Sequence, residues 1–434
     1  SEYYLRDYYT EMTDYHTDLE LVDQVIDYAH SKGLLVQIPM YLGWEFMHLE
    51  MDEVCITSHF DRWMEIYSFY LRETPLGKGD FFLARPRHPI YEWSYTCPEE
   101  EAVGLHPGPL MEAVFSGLGK LIKKYRPGGV LICDLWQEGR DMWHSNQFNI
   151  QREAQMLWAD DGFAQFEEWP ERHKAYDFGI YVHAGVWKNQ VVQDPYPERL
   201  KTAAQNAVSR NMTHNFLVNG QSFKPFILNL EAAARVAWDP VGFDSDTFYE
   251  EWTTRYFGEA ASATVIQSLQ LLREVHHYAV GFREVMRASE KILNNLENGK
   301  AESEDLANVR TALALAQKSL ELAEEAKASV PDAALDAFDD QVLFPVRIFV
   351  ENLHLLKSLI EFNNAYANNR RDSRTRERVR GLGLHARDQL LNLRTSLELG
   401  SSWEKWKGWY KPENFRIHTP PPKLEDFDRV LEGL

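Results

Sequence analysis

Two segments combine carboxylates with tryptophan, Leu135-Trp136-Gln137-Glu138-Gly139 and Leu157-Trp158-Ala159-Asp160-Asp161-Gly162, and each closes a short apolar run. Glycosidic bonds are cleaved by paired carboxyl groups, one protonating the leaving oxygen while the other activates water or attacks the sugar. A carboxylic acid near an indole is partly desolvated, which favours its neutral form and suits Glu138 to the general-acid part. The bland alternative is a surface carboxylate paired with Arg140. Asp160 and Asp161 offer the second carboxylate, although only one of two adjacent strand residues faces a given side. Their alternative is to cap the turn at Gly162.

Aromatic and basic residues gather around the same strand ends. Trp44, Trp93, Trp136, Trp143, Trp158 and Trp187 fall near inferred strand ends or in the loops after them, and the chain has 13 tryptophans in all. Sugar rings present apolar C–H faces that stack on indole, so the group fits a carbohydrate site, while any one of them fits a core equally well. In Tyr181-Val182-His183 alternate residues share a face, so Tyr181 and His183 point together, into a site or into the core. Arg85-Pro86-Arg87-His88-Pro89 sets two guanidinium groups beside a histidine, a pattern suited to the carboxylate of a uronic acid, with pairing to the chain's own acids as the alternative. Lys224 ends the last strand and is read in the same way.

These residues need a scaffold that brings strand ends together. Leu19 to Ser31 has helical spacing, Gly33 stops it, and Leu34 to Pro39 reads as a strand. The step recurs: Phe60 to Arg72 precedes Phe81 to Ala84, Leu110 to Tyr125 precedes Val130 to Cys133, and Arg199 to Ser209 precedes Asn215 to Val218. Met156 to Trp158 and Gly179 to His183 add two strands, so six are expected where a closed (β/α)8 barrel needs eight. Tyr3, Tyr4, Asp7, Tyr8 and Tyr9 lead straight into a helix, so one reading puts the first strand upstream of Ser1, and the other is a miscount of short strands. From residue 259 the pattern changes to long helices, Ala260 to Leu296, Ser303 to Ala328, Asp336 to Asn369 and Arg374 to Leu399, with breaks at Asn298-Gly299 and Val330-Pro331. The expected organisation is therefore an α/β TIM-like barrel over 1–258, an all-α bundle over 259–400 and a tail over 401–434. Trp403, Trp406, Trp409 and Tyr410 should pack that tail back on the body.

Composition narrows the partners. The 434 residues are 44% hydrophobic and carry 46 basic against 66 acidic side chains, a formal charge of -20, so no positive field attracts a nucleic-acid backbone. No run of about 18 uncharged apolar residues suggests a membrane span. Cys55, Cys97 and Cys133 allow at most one disulfide and show no zinc spacing. Nucleotide-loop, zinc-protease and serine-esterase motifs do not occur, and no cofactor is expected. A homodimer through the bundle and a secreted or periplasmic location complete the expectations, with the Asn211-Met212-Thr213 sequon a weak hint to the latter.

The order of segments resembles glycoside hydrolase family 115, the xylan α-glucuronidases. Leu135 to Trp143 resembles the family stretch that carries a catalytic glutamate, which the resemblance places on Glu138. Leu157 to Phe163 is similar to its Asp-Asp segment, Gly179 to His183 to a Tyr-His segment, Val218 to Pro225 to the segment ending in Lys-Pro, and Ala237-Trp238-Asp239-Pro240 to a further motif. The similarity runs on through Arg255 to Gly258, Asn363 to Arg370 and Lys405 to Trp409. The resemblance implies a barrel followed by a helical bundle and an inverting hydrolase that releases α-linked (4-O-methyl)glucuronic acid. Departures are visible: the arginine that precedes a functional aspartate matches Arg85 with Pro89 in the aspartate's place, one of two site tyrosines falls on Tyr181 and the other on Val186. Gln221-Ser222 replaces Gly-Asp, and Gly162 replaces Asn. The expected function is a glycoside hydrolase with Glu138 as acid and Asp160 or Asp161 positioning or activating water. A non-catalytic carbohydrate-binding protein on a decayed barrel and a hexosaminidase-like glycosidase are the alternatives.

Overall fold

A computed structural model of the chain describes residues 18–42, 55–86, 97–147, 149–150, 154–171, 173–185, 191–220, 223–279, 281–300, 305–368, 373–411 and 420–433. It divides into two compact units, Ser1–His183 with Ala203–Val218, and Ala184–Thr202 with Asn219–Leu434.

The first unit contains α1 (Leu19–Ser31), β1 (Gln37–Leu42), α2 (Ile56–Glu73), β2 (Phe81–Pro86), α3 (Pro98–Ala102), α4 (Pro107–Tyr125), β3 (Val130–Leu135), α5 (Glu138–His144), β4 (Gln155–Ala159) and β5 (Phe178–His183). α6 (Pro197–Ser209) and β6 (Phe216–Asn219) cross the boundary between units. The strands lie in sequence order in one sheet, and β1 to β5 pair in parallel. All six expected strands are present. The described residues thus form an incomplete α/β barrel, six strands instead of the eight of the full (β/α)8 expectation.

β1 begins three residues later than the apolar run suggests. Gly33, at φ 75°, lets the chain turn back so that its own N–H and that of Leu34 close the end of α1 on His30 and Ala29. Leu34 and Leu35 are left exposed. Val36 is the first residue to join the ladder, its carbonyl accepting from Asp80 and Phe81. That bond sets the phase of the strand: Val36, Ile38 and Met40 turn their backbone groups toward β2, and Pro39, which has no N–H to give, turns toward the open edge, where proline is tolerated.

At the strand N-termini Asp80 gathers the chain. Its carboxylate accepts from Val36 N at 2.9 Å, His30 Nε2 at 2.8 Å and Arg126 Nη2 at 3.0 Å, and its carbonyl accepts from Val130 N. Burial pushes the Asp80 carboxyl up, but the hydrogen bonds from Val36, His30 and Arg126 outweigh it and leave the group below its ordinary value. Side chains then alternate. Leu83, Ile132, Leu157, Ala159 and Tyr181 form one cluster with Trp136 on the inner face, while Phe82 and Leu131 turn the other way, toward Ile122 and Gly119 of α4. Gly179 has no alternative on β5, because a Cβ there would collide with the backbone of Asn215.

α2 and α4 pack through Trp63, Ile66, Tyr67 and Tyr70 against Val114, Phe115 and Leu118, with Gly117 making room for Met64. A disulfide joins Cys55, at the start of α2, to Cys97, at the start of α3, with Cα atoms 5.7 Å apart. Beside it Glu100 accepts from Cys97 N, Thr57 N and Thr57 Oγ1. Cys133 stays reduced and buried, its thiol pushed well up by burial and by the neighbouring Asp134 charge.

The second unit is helical. It holds α7 (Ile227–Trp238), α8 (Ser245–Phe257), α9 (Glu259–Ala279), α10 (Phe282–Glu297), α11 (Ala307–Lys327), α12 (Leu335–Phe338), a π-helical turn at Asp339–Leu343, α13 (Phe344–Asn368), α14 (Ser373–Leu399) and α15 (Leu424–Glu432). The single helix expected over Ala260 to Leu296 is two, because Gly281 adopts φ 107° between α9 and α10. The boundary expected at 258 falls within this unit, at Gly258 (φ 87°) between α8 and α9. In the tail, Tyr410, Phe427, Val430 and Leu431 belong to the bundle core, and Arg394 Nη1 donates to the Pro421 and Pro422 carbonyls.

Lys224 is buried inside this unit. Its Nζ lies 2.6 Å from Asp340 Oδ1 and donates to the Tyr410 hydroxyl at 2.9 Å, and Ser401 Oγ and Gln341 Nε2 donate to the same aspartate. Asp340 sits in the π-helical turn, where the extra residue re-aims a side chain that a regular helix would place elsewhere. Burial lowers the Lys224 ammonium to about 8 against the opposing pull of Asp340.

Replacing both Cys55 and Cys97 with serine should cost about 4 kcal/mol in a denaturant titration, given the 42-residue separation of the linked cysteines. Asp340→Asn leaves the buried ammonium without its paired carboxylate and should cost about 3–5 kcal/mol, most of it restored in a Lys224→Met, Asp340→Leu double variant. The folded Lys224 value lies below its ordinary 10.5, so the unfolded chain holds the proton to higher pH. Stability relative to Lys224→Met should therefore rise as pH climbs from about 8 toward 10.5; a flat difference would contradict it.

Candidate active site

Parallel sheets present their loops, and with them their chemistry, beyond the strand C-termini. Here β3 ends at Leu135, Trp136 continues the inner face, and the chain turns at Gln137 with φ 43° and ψ -109°. A non-glycine residue at positive φ is uncommon and costs on the order of 1–3 kcal/mol, and such residues cluster at functional sites. The turn ends the strand and makes Glu138 the first residue of α5, with Gly139 N donating to the Trp136 carbonyl. Only the backbone of Glu138 is described. Arg140, the alternative partner considered for Glu138, directs Nη1 to the Ala159 carbonyl at 3.4 Å and so ties α5 to the end of β4.

Asp160 is fully buried and accepts four hydrogen bonds. Oδ1 takes Gly162 N at 2.9 Å and His183 Nδ1 at 2.5 Å; Oδ2 takes Ala164 N at 2.7 Å and His183 N at 2.8 Å. Three backbone N–H donors fix this carboxylate as an acceptor, so the His183 contact requires the ring proton on Nδ1, and in the neutral ring Nε2 is the acceptor nitrogen. The same bonds hold Ala164 at φ 57°, a conformation alanine rarely adopts. Asp161 is half-buried, and its Oδ1 accepts from Phe163 N at 2.8 Å and Gln165 N at 3.2 Å. Turn capping, the alternative weighed for this pair, is what the hydrogen bonds show, with Asp160 also binding His183.

Three aromatic rings meet at this point. Trp136 lies 4.7 Å from the His183 ring and 6.0 Å from Tyr181, and Tyr181 stacks on His183 at 4.8 Å and 29°. The expected pairing of Tyr181 with His183 on one face is therefore real, and it adds Trp136 and Asp160. Trp158 has the opposite phase on β4: its Nε1 donates to the Glu168 carbonyl and its ring packs edge-on against His144. Lys224 belongs to the second unit and already pairs with Asp340. Arg85 is placed by its backbone alone, paired in register with Tyr41. Trp44 lies outside the described residues, as do Trp93 and Trp187.

One acid went unremarked in the sequence. Asp134 is fully buried, and alternation from Ile132 puts it on the inner face between Ile132 and Trp136. It follows the paired Cys133 as Arg85 follows its partner Ala84, so the backbone register sets the two in one row. The signal was available, since Asp134 is the one charged residue in an otherwise apolar strand.

The carboxylates of Asp160 and Asp161 should respond differently to amide substitution. Asp160→Asn turns an NH2 group toward two donors and should cost about 3 kcal/mol, whereas Asp161→Asn keeps its accepting Oδ1 and should cost less than about 1 kcal/mol. Denaturant titration of both variants checks this; equal costs would contradict the geometry.

Residues 107–279 match the family model described as glycosyl hydrolase family 115. No curated protein matches the chain. Among solved structures, a family 115 4-O-methyl-α-glucuronidase with specificity for decorated arabinogalactans is 14% identical, with a TM-score of 0.58 over 87% of this chain and 48% of that one. A family 138 enzyme targeting pectin rhamnogalacturonan II is 9% identical, with a TM-score of 0.49 over 96% and 78% of the two chains. An O-GlcNAc hydrolase of Thermobaculum terrenum is 11% identical, with a TM-score of 0.48 over 99% and 86%. The chain spans about half the length of the α-glucuronidase, with which it shares a fold. Through residues 107–279, the stretch from α4 to α9 that carries Glu138, Asp160 and His183, the chain is similar to glycosyl hydrolase family 115.

Proposed function

We propose that the chain is a glycoside hydrolase whose sugar site lies beyond the C-termini of β3 to β5. The observation that carries this reading is the buried inner-face cluster of Trp136, Tyr181 and His183, held by Asp160, from which the chain reaches Glu138 two residues after Trp136. In this scheme Glu138 protonates the leaving oxygen. Asp160 acts through His183 as a positioning residue, because its four hydrogen bonds leave it no part in proton transfer, and Asp134 or Asp161 is the carboxylate that activates water. An inverting reaction places the two acting carboxyl groups about 6.5–9.5 Å apart. An α-linked (4-O-methyl)glucuronic acid is the proposed leaving sugar, on the family match and with Arg85 as the candidate for its carboxylate.

The committed carboxylate Asp160 also favours a second reading, a carbohydrate-binding protein that retains its ligand unchanged. A secreted or periplasmic location is proposed on the support of the Cys55–Cys97 disulfide, since such bonds persist in oxidising compartments. Among the described residues no helix is long and apolar enough to cross a membrane.

Incubation with a polysaccharide panel, with free sugars measured for the wild type and for Glu138→Gln, tests the assignment. Release of uronic acid by the wild type and a loss of at least about 100-fold in Glu138→Gln, with the fold intact by circular dichroism, is the expected outcome. Full activity in the variant overturns the role of Glu138. Binding without release establishes the second reading.

A further inference from the structure

The second unit carries an aromatic surface that the proposed site does not use. Trp238, the last residue of α7, is 92% exposed, and Val241 three residues later is 77% exposed. Trp238 lines a shallow, open groove of about 430 Å³ together with Ala234, Arg235, Asp239, Gly242 and Phe243, of which Phe243 is buried. The turn after α7 is built to keep this shape. Asp239 Oδ1 accepts from Gly242 N at 2.8 Å, and a Cβ on Gly242 would meet the Asp239 carboxylate, so a larger residue there would have to displace that side chain.

Size and charge select the occupant. A bare indole offers at most about 250 Å², well short of the roughly 800 Å² per partner that a stable protein interface buries. The groove is shallow and open to solvent, which suits a flat ring laid on the indole and not a ligand enclosed on all sides. Arg235 is already neutralised, its Nη2 3.0 Å from Glu231 Oε1 and its Nη1 2.5 Å from Glu251 Oε2, so the wall offers no cation to an acidic ligand. Asp239 is exposed at the rim and presents a carboxylate that accepts from hydroxyl groups and repels anions.

We infer that Trp238 is a stacking platform for a neutral pyranose ring of a polysaccharide, a surface binding site separate in chemistry from the uronic-acid site proposed above. The inference rests on the carbohydrate-directed reading of the chain, but its test does not depend on turnover. The apolar face of the ring covers the indole, Val241 extends the contact, and ring hydroxyls meet the Asp239 carboxylate.

Native affinity electrophoresis of the full chain in gels containing neutral arabinoxylan, neutral galactan or polygalacturonate tests it. The comparison is made in the Glu138→Gln background, with and without Trp238→Ala. Retardation by a neutral polymer that falls at least fivefold in Trp238→Ala, and partly returns in Trp238→Phe, is expected, with no change in polygalacturonate. Unchanged retardation, loss confined to polygalacturonate, or no retardation by any of the three overturns the proposal. So does concentration-dependent self-association in sedimentation velocity that Trp238→Ala abolishes, which would assign the surface to a second copy. Failure of sugar release with Trp238-dependent retardation intact would remove the hydrolase reading and leave this site standing.

Discussion

The candidate site depends on one buried carboxylate. Asp160 draws the end of β4, the turn that follows and the end of β5 onto two oxygen atoms. A buried charge of this kind is tolerated only when its hydrogen-bonding capacity is met, and four donors meet it here. The consequence reaches outward in steps: the carboxylate fixes the His183 ring and its tautomer, the ring supports Tyr181 and Trp136, and Trp136 leads into the positive-φ turn at Gln137 that delivers Glu138. Each step is a contact between neighbouring strand ends, so the site inherits its precision from the sheet.

The second unit uses the same physics for another purpose. Lys224 and Asp340 form a buried pair whose remaining partners are Gln341, from the same π-helical turn as Asp340, and Ser401 and Tyr410, from the tail. Buried pairs of this sort contribute little net stability over well-packed apolar residues, yet leaving either member alone is costly. Here the pair joins the loop after β6, the π-helical turn and the tail within one unit. Asp160 and Asp340 are both fully buried; the first holds a ring beside the proposed chemistry, and the second holds a helical scaffold together.

Strand order was readable from the sequence because parallel strands are short apolar runs separated by amphipathic helices, and all six proved real. The start of β1 was not, since Leu34 and Leu35 look like strand residues and only the pairing of Val36 with Asp80 and Phe81 decides where the ladder begins. Alternation correctly joined Tyr181 to His183, and the same rule applied to β3 would have found Asp134. Asp160 was legible as important but not as a four-bond anchor, because its partners lie at His183, 23 residues away, and in a turn whose shape the sequence does not display. Lys224 misled for the converse reason: a strand-end lysine reads as a substrate ligand until the distant Asp340 is seen beside it.

The central claim is that a sugar binds against the Trp136, Tyr181 and His183 wall at the strand C-termini. A crystal structure of Glu138→Gln grown with glucuronic acid tests it most directly. The account predicts the sugar ring within about 4 Å of Trp136 or Tyr181, with its anomeric hydroxyl facing residue 138. A ring bound elsewhere on the first unit, or a wall left empty at saturating sugar, would contradict it.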